Sequence, residues 1–377
     1  MIQHINYPYG YYQVGADVYL NKLEAIYNAQ TRHQPITWHF HDDVFAKIDW
    51  TIRPSGTLRD LYRDRARQIR DNYDYVVVHF SGGMDSWTVL HSFLSNGIHL
   101  DEVRTRWPFA ERKYRPADPL NLNADNLTSE FEYAVLPVLE DIKKTHPKTN
   151  ISILDYSDSF NIDALSEKDI AKMNKYQHMS TMFKFAKQSD NETLAESRGE
   201  TVAHVIGIEK INCYKTTDAV TGKSKFNACF RDMFNLDSMP EHKQVELFYW
   251  SRDFPTIPIL QAHCIKDLVK LRPDLEVWDN PGLSNVSHIE KYNKFRMLYQ
   301  MACYPDYDLG TFQVQKQAGT IITENESWIQ QYNPRFVESW NWALKQYITE
   351  KTSSFLDKRL GKIGGLTFIP SQYYLVE

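Results

Sequence analysis

The feature that most constrains the fold of this sequence is a hydrophobic run that stops abruptly at two glycines. Tyr75 to Phe80 read YVVVHF, a β-branched and aromatic run of the kind found in strands buried on both faces of a parallel sheet. Ser81 to Ser86 follow as SGGMDS (the SGGMDS loop), and residues with helical apolar spacing continue to Leu94. A strand, a tight loop and a helix in this order predict the first half of a βαβ unit.

Further strand patterns alternate with helical patterns along the chain. After the first strand they lie at about 100–107, 151–155 and 202–208. An amphipathic helix at about 57–71 precedes the first strand. This alternation predicts an α/β fold, with an open, mainly parallel sheet and helices on both faces.

Capping residues predict where two of the helices begin. Thr57 and Asp60 have the spacing of a capping box for the helix before the first strand. Ser129 and Glu132 repeat this spacing before a helix in which Pro137 should cause a kink or a restart. Both segments are therefore expected to be helical.

The patterns divide the chain into three segments, one more than the roughly two domains expected for 377 residues. Residues 1–70 form an N-terminal extension of unassigned fold that ends in the amphipathic helix. Residues 71–236 form the α/β domain. Residues 237–377 are mainly helical and rich in aromatic residues, including a helix at about 258–271.

Composition excludes several classes of protein. Hydrophobic residues make up 42% of the chain and charged residues 24%, which is the balance of a globular protein. The formal net charge of −5 excludes a generally basic nucleic-acid binder but leaves room for a local basic site. The apolar stretches are far shorter than the roughly 20 residues of a membrane span, and no secretory signal pattern is visible. We therefore expect a cytoplasmic protein with no membrane partner.

The SGGMDS loop has the features of a phosphate-binding loop. Gly82 and Gly83 let the backbone turn sharply and approach a ligand closely. The following helix directs its unpaired N–H groups and partial positive charge at the same point. The hydroxyls of Ser81 and Ser86 flank the turn. Asp85, in the first helical turn, can cap the helix or hold a magnesium ion that bridges phosphates.

This motif resembles the signature of the PP-loop (N-type ATP pyrophosphatase) superfamily, whose fold is adenine nucleotide alpha hydrolase-like. The resemblance is specific over residues 75–110. The sequences GIEK at 207–210 and LFYWS at 247–251 are similar to segments of the phosphoadenylylsulfate (PAPS) reductase group. Residues 1–50 and 275–377 match no family pattern.

The resemblance implies that the loop holds the phosphates of ATP, and that attack at the α-phosphate transfers AMP and releases pyrophosphate. The implied cofactors are ATP and Mg²⁺, with Asp85 as the metal ligand and Asp85, Ser81 and Lys210 as catalytic residues. The implied nucleotide-binding residues are His79, Phe80, Ser81, Gly82, Gly83, Met84, Asp85, Ser86, Arg104, Arg106 and Gly207.

Met84 departs from the sulfur-handling members of the superfamily, which usually have lysine at this position. A cation must then come from elsewhere, and the expected place is the edge where open α/β sheets bind ligands. The candidates there follow the second and fourth strands: Arg104, Arg106, Arg112, Lys113, Arg115, Lys210 and Lys215. They are either phosphate or acidic-substrate contacts or the charges of a solvated loop.

Three functions fit these observations. The first is an ATP-dependent adenylating enzyme, in which a substrate oxygen attacks the α-phosphate and an amine or sulfur nucleophile then displaces AMP. The second is a PAPS reductase-like sulfur-compound reductase or sulfur transferase, against which counts the lack of cysteine after Cys303. The third is a non-catalytic nucleotide-binding partner protein. The substrate is a small molecule, a nucleotide or a nucleic acid, and the aromatic-rich C-terminal region would suit a homodimer.

Three other patterns have simpler interpretations. Residues 221–224 read TGKS, like the end of a Walker A loop, but no buried strand leads directly into them and an exposed turn is expected. His39 and His41 would share one face of a strand, yet a third metal ligand is not evident. Cys213 and Cys229 lack any CxxC context, so buried, reduced thiols are the favoured interpretation over a catalytic thiol.

Overall fold

The computed structural model describes most of the chain, with gaps. The described residues are 7–20, 22–120, 126–160, 188–208, 210–217, 222, 224–230, 243–272, 298–308, 310–312, 327–347, 362–363 and 366–376. The predicted segment boundary at 236, and much of the helical pattern expected before the fourth strand, lie outside these residues.

The N-terminal residues, to which the sequence patterns assigned no fold, form three strands and three helices. In chain order these are β1 (Tyr11–Val14), β2 (Asp17–Tyr19), α1 (Lys22–Arg32), β3 (Ile36–His39), α2 (Asp42–Phe45) and α3 (Leu58–Asn72). Strand β1 pairs antiparallel with both β2 and β3. At α3 the capping box is confirmed, because Thr57 accepts a hydrogen bond from the Asp60 backbone N–H and donates one from its own N–H to the Asp60 carboxylate.

The middle of the chain contains the predicted alternation of strands and helices. Its elements are β4 (Tyr75–His79), α4 (Met84–Leu94), β5 (Glu102–Trp107), α5 (Glu111–Tyr114), α6 (Leu127–Glu130), a π-helical turn (Phe131–Val135), α7 (Leu136–Thr145), β6 (Asn150–Asp155), a 3₁₀ turn (Ser157–Phe160), α8 (Asp190–Ser197), β7 (Val202–Ile206), β8 (Asn212–Thr217), β9 (Ser224–Cys229) and β10 (Gln244–Leu247). Five of these strands form one parallel sheet, in the order β10-β7-β4-β5-β6. The α/β fold with an open parallel sheet is therefore confirmed.

The C-terminal part supplies helices and then three strands. The elements are α9 (Thr256–Leu271), α10 (Ser327–Tyr332), α11 (Pro334–Tyr347), β11 (Lys362–Ile363), β12 (Leu366–Pro370) and β13 (Tyr374–Leu375), and residues 298–303 are also helical. Strand β12 pairs parallel with β3, which makes a second sheet of order β11-β12-β3-β1-β2. Strand β13 joins the β8–β9 hairpin. The region predicted to be mainly helical thus also contains strands.

The sheets cross both predicted segment boundaries. Strand β12 belongs to the C-terminal segment but completes the sheet of the N-terminal strands. Strand β10 lies beyond residue 236 but pairs with β7 at the edge of the central sheet. The backbone hydrogen bonds of these two strands therefore tie the first and third predicted segments into the rest of the fold.

The helix before β6 begins earlier than predicted. Its cap is Asn126 and not Ser129, because the Asn126 side chain accepts a hydrogen bond from the Ser129 backbone N–H. The Ser129 hydroxyl contacts the backbone of Asp118 instead. The predicted restart is confirmed: a π-helical turn precedes α7, and Pro137 lies in the first turn of α7, where its missing N–H costs no hydrogen bond.

Both faces of the central sheet are covered. On one face Val76 and Val78 belong to the main core, together with Ile69 of α3 and Phe93 of α4. On the other face Val77 packs in a small cluster with Ala195 of α8. Successive residues of β4 thus face opposite sides, and all five are buried. This confirms the prediction of a first strand buried on both faces.

The strand order determines where a ligand can bind. From β4 at the centre, the chain builds outward through β5 and β6, and then returns to the other side of β4 for β7 and β10. The connections after β4 and after β7 therefore leave the sheet in opposite directions. In open α/β sheets the crevice between two such strands, at their carboxyl ends, is the place where ligands bind.

Candidate functional site

The SGGMDS loop lies at this crevice, between the end of β4 and the start of α4. Gly83 is the N-cap of α4 (φ −80°, ψ 160°), and glycine has no side chain that could cap the helix. Among the described residues, no side chain accepts from the first N–H groups of α4, which leaves them for an external acceptor. Partial positive charge at the same end of the helix favours an anion there.

Hydrogen bonds within the loop hold its shape. The buried Ser86 hydroxyl accepts from the Ser81 backbone N–H (3.1 Å) and donates to the Gly83 carbonyl (3.1 Å). Its oxygen also lies 3.2 Å from the Ser81 hydroxyl. Ser81 itself is exposed. Ser86 thus shapes the loop from inside, whereas Ser81 is the hydroxyl that faces outward.

The two positions of the SGGMDS loop that are glycine differ in whether the fold requires glycine there. Gly82 has φ +82°, and a Cβ there would lie 2.9 Å from Val135 Cγ2 and 3.1 Å from Ala134 Cβ, so the fold itself requires glycine. Gly83 has an ordinary φ, and the nearest atom to its missing Cβ is the Ser81 hydroxyl oxygen at 3.8 Å. Nothing around Gly83 in the described chain requires glycine. Its effect is to leave the N-terminus of α4 bare.

The loop after β7 touches the SGGMDS loop directly. A Cβ on Gly207 would lie 2.7 Å from the Asp85 carbonyl oxygen and 2.9 Å from Val89 Cγ2. Only glycine allows this backbone approach. Gly207, predicted from the strand pattern and the resemblance, therefore lies at the crevice, beside the first turn of α4.

Two tyrosines that the sequence analysis did not single out contact Asp85. The Tyr304 hydroxyl donates to Asp85 Oδ1, and the Tyr249 hydroxyl donates to the Asp85 backbone carbonyl (2.6 Å). Among the described residues, no donor contacts Asp85 Oδ2. Within the described part of the chain, the carboxylate is thus held at Oδ1 and has no donor at Oδ2.

Arg104 lies in a buried network of ion pairs on the α8 side of the sheet. Its side chain is fully buried, 2.7 Å from Glu102 and 2.5 Å from Glu192. Ser189, the N-cap of α8, accepts from Arg104 (3.0 Å) and donates to Glu102 (2.6 Å). The guanidinium group is thus occupied by carboxylates, and a contact with nucleotide would require these ion pairs to break.

His79 joins the same network through a second histidine. His79 Nε2 lies 3.0 Å from His204 Nδ1, and His204 Nε2 lies 3.1 Å from Glu192. An ionised carboxylate can only accept, so His204 donates from Nε2 to Glu192 and accepts at Nδ1 from His79 Nε2–H. Burial lowers the pKa of His204, which keeps this ring neutral. The Glu192 carboxylate thus determines the tautomer of both His204 and His79.

Glu192 is the centre of the network. Besides Arg104 and His204 it contacts Lys243, whose Nζ lies 2.6 Å from Glu192. Burial alone would raise the pKa of Glu192, but the hydrogen bonds from His204 and Lys243 and the charge of Arg104 outweigh it. The pKa of this carboxyl is therefore held well below its usual value.

Arg106 lies two residues beyond Arg104 on β5, nearer the carboxyl end of the strand. Burial lowers the pKa of Arg106 to about 9, the charge of Arg104 adds to the effect, and the charges of Glu192 and Glu102 oppose it. The guanidinium is still protonated at neutral pH, but its burial costs solvation energy. A further anion bound nearby would reduce this cost.

The remaining predicted site residues are mostly buried. The side chains of Phe80 and Met84 belong to the hydrophobic core, so only their backbone groups can face a ligand. Lys210, after β7, is also buried, and its charge opposes the rise in the pKa of the Cys303 thiol that burial causes. The structure thus brings Lys210 to the same side of the fold as Cys303 and its neighbour Tyr304.

The other basic candidates belong to a surface segment after β5. Arg112 lies 5.0 Å from the centre of the Trp107 ring and forms an ion pair with Glu132. Lys113 lies over the ring of Tyr114. The side chain of Lys215 lies outside the described residues. Arg112 and Lys113 lie in α5, and the contacts described for them are with neighbouring side chains.

The remaining patterns have structural roles. Of the TGKS residues, the structure describes Gly222, which is exposed with φ +67°, and Ser224, which begins β9. Thr221 and Lys223 lie outside the described residues, so the predicted turn stays a prediction. Strand β3 ends at His39, and His41 has φ +48° at the start of α2, so the expectation that both rings share one strand face is wrong. In the described part of the chain, no group of three or more metal-binding side chains comes together.

Comparisons with known proteins assign no family. No protein-family model matches the chain, and no curated protein sequence matches it. Of the helices that the structure describes, none is both long and apolar enough to cross a membrane.

Proposed function

We propose that this chain is an ATP-dependent adenylating enzyme with an adenine nucleotide alpha hydrolase-like fold. It binds ATP and Mg²⁺ at the SGGMDS loop and cleaves ATP to AMP and pyrophosphate, activating a substrate oxygen for attack by an amine or sulfur nucleophile. The observation that carries this proposal is the bare N-terminus of α4 at the switch point of the sheet. Gly83 keeps it bare although the surrounding chain has room for a side chain.

The N–H groups of α4 and the Ser81 hydroxyl would bind the phosphates. Because these donors are already oriented by the loop, they need no rearrangement as negative charge builds on the leaving pyrophosphate. Asp85 fits the role of metal ligand, since Mg²⁺ bound to a nucleotide takes one or two carboxylates together with phosphate oxygens. The ion would neutralise phosphate charge. A preformed cluster of carboxylates is not needed for this.

Arg106 and Lys210 are the proposed cations. Arg106 lies near the carboxyl end of β5 and Lys210 follows β7, the two strands that flank β4, at the edge where the sheet order favours a ligand. The charged guanidinium of Arg106 is poorly solvated because it is buried. An anion bound near it would therefore be favourable. These two residues would supply the charge that Met84 cannot.

The sulfur-chemistry alternative has less support. It needs an accessible thiol with a lowered pKa. Cys213, Cys229 and Cys303 are buried, and Cys264 is partly buried. Burial raises the pKa of the Cys213, Cys264 and Cys303 thiols. A non-catalytic nucleotide-binding protein would use the same loop, and only turnover distinguishes it from the enzyme.

The direct test is to incubate the protein with ATP, Mg²⁺ and a metabolite or nucleic-acid extract. Pyrophosphate release is measured, and mass spectrometry identifies any species that gains AMP. We expect pyrophosphate release that depends on the extract, together with an adenylated species or free AMP. Tight ATP binding without release in any extract would favour the non-catalytic protein, and no ATP binding would contradict the proposal.

Gly83→Ala should weaken nucleotide binding and leave the stability of the fold nearly unchanged. The new Cβ fits the backbone and has room, so we expect the free energy of unfolding to change by less than about 1 kcal/mol. The methyl group would stand at the N-terminus of α4, where it obstructs phosphates, and ATP affinity should fall about tenfold or more. Urea denaturation and ATP titration measure the two effects.

Gly82→Ala is the matched comparison. Its Cβ would meet Val135 at 2.9 Å and the residue would keep φ +82°, so the fold should lose about 1–3 kcal/mol. If Gly83→Ala binds ATP as well as the wild type, the phosphates do not lie at the N-terminus of α4.

A further inference from the structure

The C-terminal half of the chain contacts Asp85 of the SGGMDS loop through two side chains, Tyr304 and Tyr249. Tyr304 is buried, lies 219 residues beyond Asp85 in the sequence, and donates its hydroxyl proton to Asp85 Oδ1. Tyr249 donates to the Asp85 backbone carbonyl, at 2.6 Å. Asp85 is thus held at its backbone and at its carboxylate by two rings from outside the loop.

The segment that carries Tyr304 is itself anchored by buried hydrogen bonds. The Tyr62 hydroxyl of α3 donates to the Cys303 carbonyl (2.5 Å) and accepts from Gln261 Nε2 of α9 (2.9 Å). Gln261 Oε1 accepts from the Ile211 backbone N–H (3.1 Å). A continuous path therefore runs from the loop after β7, through two helices, to the residue before Tyr304.

The direction of the hydrogen bond at Asp85 follows from the chemistry of the two partners. A phenolic O–H can donate, whereas an ionised carboxylate can only accept. The hydroxyls of Tyr304 and Tyr249 therefore both act as donors. Tyr304 occupies Oδ1 of the Asp85 carboxylate, and no donor among the described residues contacts Oδ2.

We propose that Tyr304 is a positioning residue that orients the Asp85 carboxylate for the Mg²⁺ of bound Mg·ATP, so that a side chain 219 residues away in the sequence supports the nucleotide site. This rests on the proposed function. The chemistry is a charge-assisted hydrogen bond to one oxygen, which limits rotation of the carboxylate and presents the other oxygen to the metal. Without the hydroxyl, Asp85 would still bind Mg²⁺, but from several orientations.

The test is Tyr304→Phe, which removes the hydroxyl and keeps the ring. ATP binding is titrated by calorimetry at a series of Mg²⁺ concentrations and in EDTA. We expect the Mg²⁺ concentration for half-maximal enhancement of ATP binding to rise about tenfold, because hydrogen bonds to charged groups contribute about that factor. ATP binding in EDTA should be unchanged.

Tyr299→Phe is the matched control. Tyr299 lies five residues before Tyr304, in the helix at residues 298–303, and its buried hydroxyl has no hydrogen-bond partner among the described residues. This variant should leave the Mg²⁺ dependence unchanged. A second test combines Tyr304→Phe with Asp85→Asn: if Tyr304 acts through the Asp85 carboxylate, the double variant should bind ATP no more weakly than Asp85→Asn alone.

The outcomes separate the two proposals. If the wild type binds no ATP with or without Mg²⁺, the proposed function fails. If the wild type binds Mg·ATP and Tyr304→Phe has the same Mg²⁺ dependence, the positioning role is overturned and the proposed function stands. An equal weakening of ATP binding in EDTA and in Mg²⁺, or additive losses in the double variant, would also overturn the positioning role.

Discussion

Glu192→Gln should lower the free energy of unfolding by about 3 kcal/mol, one of the largest losses expected for any single change in this chain. Glu192 is fully buried and forms ion pairs with Arg104 and Lys243. Removing one member of a buried ion pair leaves the other charge without compensation and costs about 3–5 kcal/mol. Glutamine keeps the size of the side chain, so the loss reports charge and not a cavity. Urea denaturation at pH 7.5 measures it.

Glu196→Gln is the control for this prediction. Glu196 lies one helical turn further along α8 and contacts the same Lys243, but its side chain is 39% exposed. Water screens an exposed ion pair, so the loss should stay below about 1 kcal/mol. Similar losses for the two variants would mean that burial does not govern the strength of this network.

The same network should make the protein sensitive to acid. Burial lowers the pKa of His204 from 6.5. The hydrogen-bond and ion-pair partners of Glu192 hold the pKa of Glu192 below 4.5. In both cases the unfolded chain takes up a proton at a higher pH than the folded chain does. Stability contributed by these groups is therefore present above pH 6.5 and is lost as the pH falls, first through His204 and then through Glu192. In Glu192→Gln the second part of this loss should disappear.

Local patterns were sufficient to predict the parts of the fold that depend on neighbours in sequence. The YVVVHF run was predicted as a doubly buried strand because a two-faced core needs consecutive apolar residues, and β4 has this burial. Thr57 and Asp60 were predicted as a capping box because both partners lie within one helical turn. The turn at Gly82 was visible because few other residues accept a positive φ.

The role of Arg104 could not be predicted in the same way. In the sequence it is a basic residue near the end of a predicted strand, which suggested the ligand edge of the sheet. Whether it faces that edge or the buried side depends on Glu192, 88 residues later, and on the helix that carries Glu192 across the sheet. A single sequence does not show which distant carboxylate meets a given arginine.

The pairing between strands from the two ends of the chain could not be predicted from the sequence either. Strands β3 and β12 are short and lie more than 300 residues apart, yet they pair in parallel, with Phe368 opposite Ile36. The contact of Tyr304 with Asp85 could not be predicted for the same reason, because nothing around Tyr304 in the sequence distinguishes it from the chain's other 22 tyrosines. Long-range contacts of this kind define the surroundings of Asp85, whereas the motif that contains Asp85 is local.

Asp85→Asn should reduce the rate of pyrophosphate release by a factor of about 100 or more. Asparagine has the same shape and can still accept a hydrogen bond from Tyr304 at its amide oxygen, so the loop should fold as before. What is lost is the negative charge that would hold Mg²⁺ against the phosphates. Removing one preorganised electrostatic contact from an active site typically costs about 100- to 1,000-fold in rate. Single-turnover measurements of pyrophosphate release give the rate directly.

Asp190→Asn is the matched control for that change. Asp190 also lies in the first turn of a helix, α8, so this variant removes the same charge from the same kind of position but away from the SGGMDS loop. It should leave pyrophosphate release within about twofold of the wild type, and the melting temperatures of both variants should stay close to that of the wild type. Normal release by Asp85→Asn would mean that the carboxylate in the loop is not part of the chemistry. The nucleotide would then have to be activated by other residues, with the cations Arg106 and Lys210 as the first to replace.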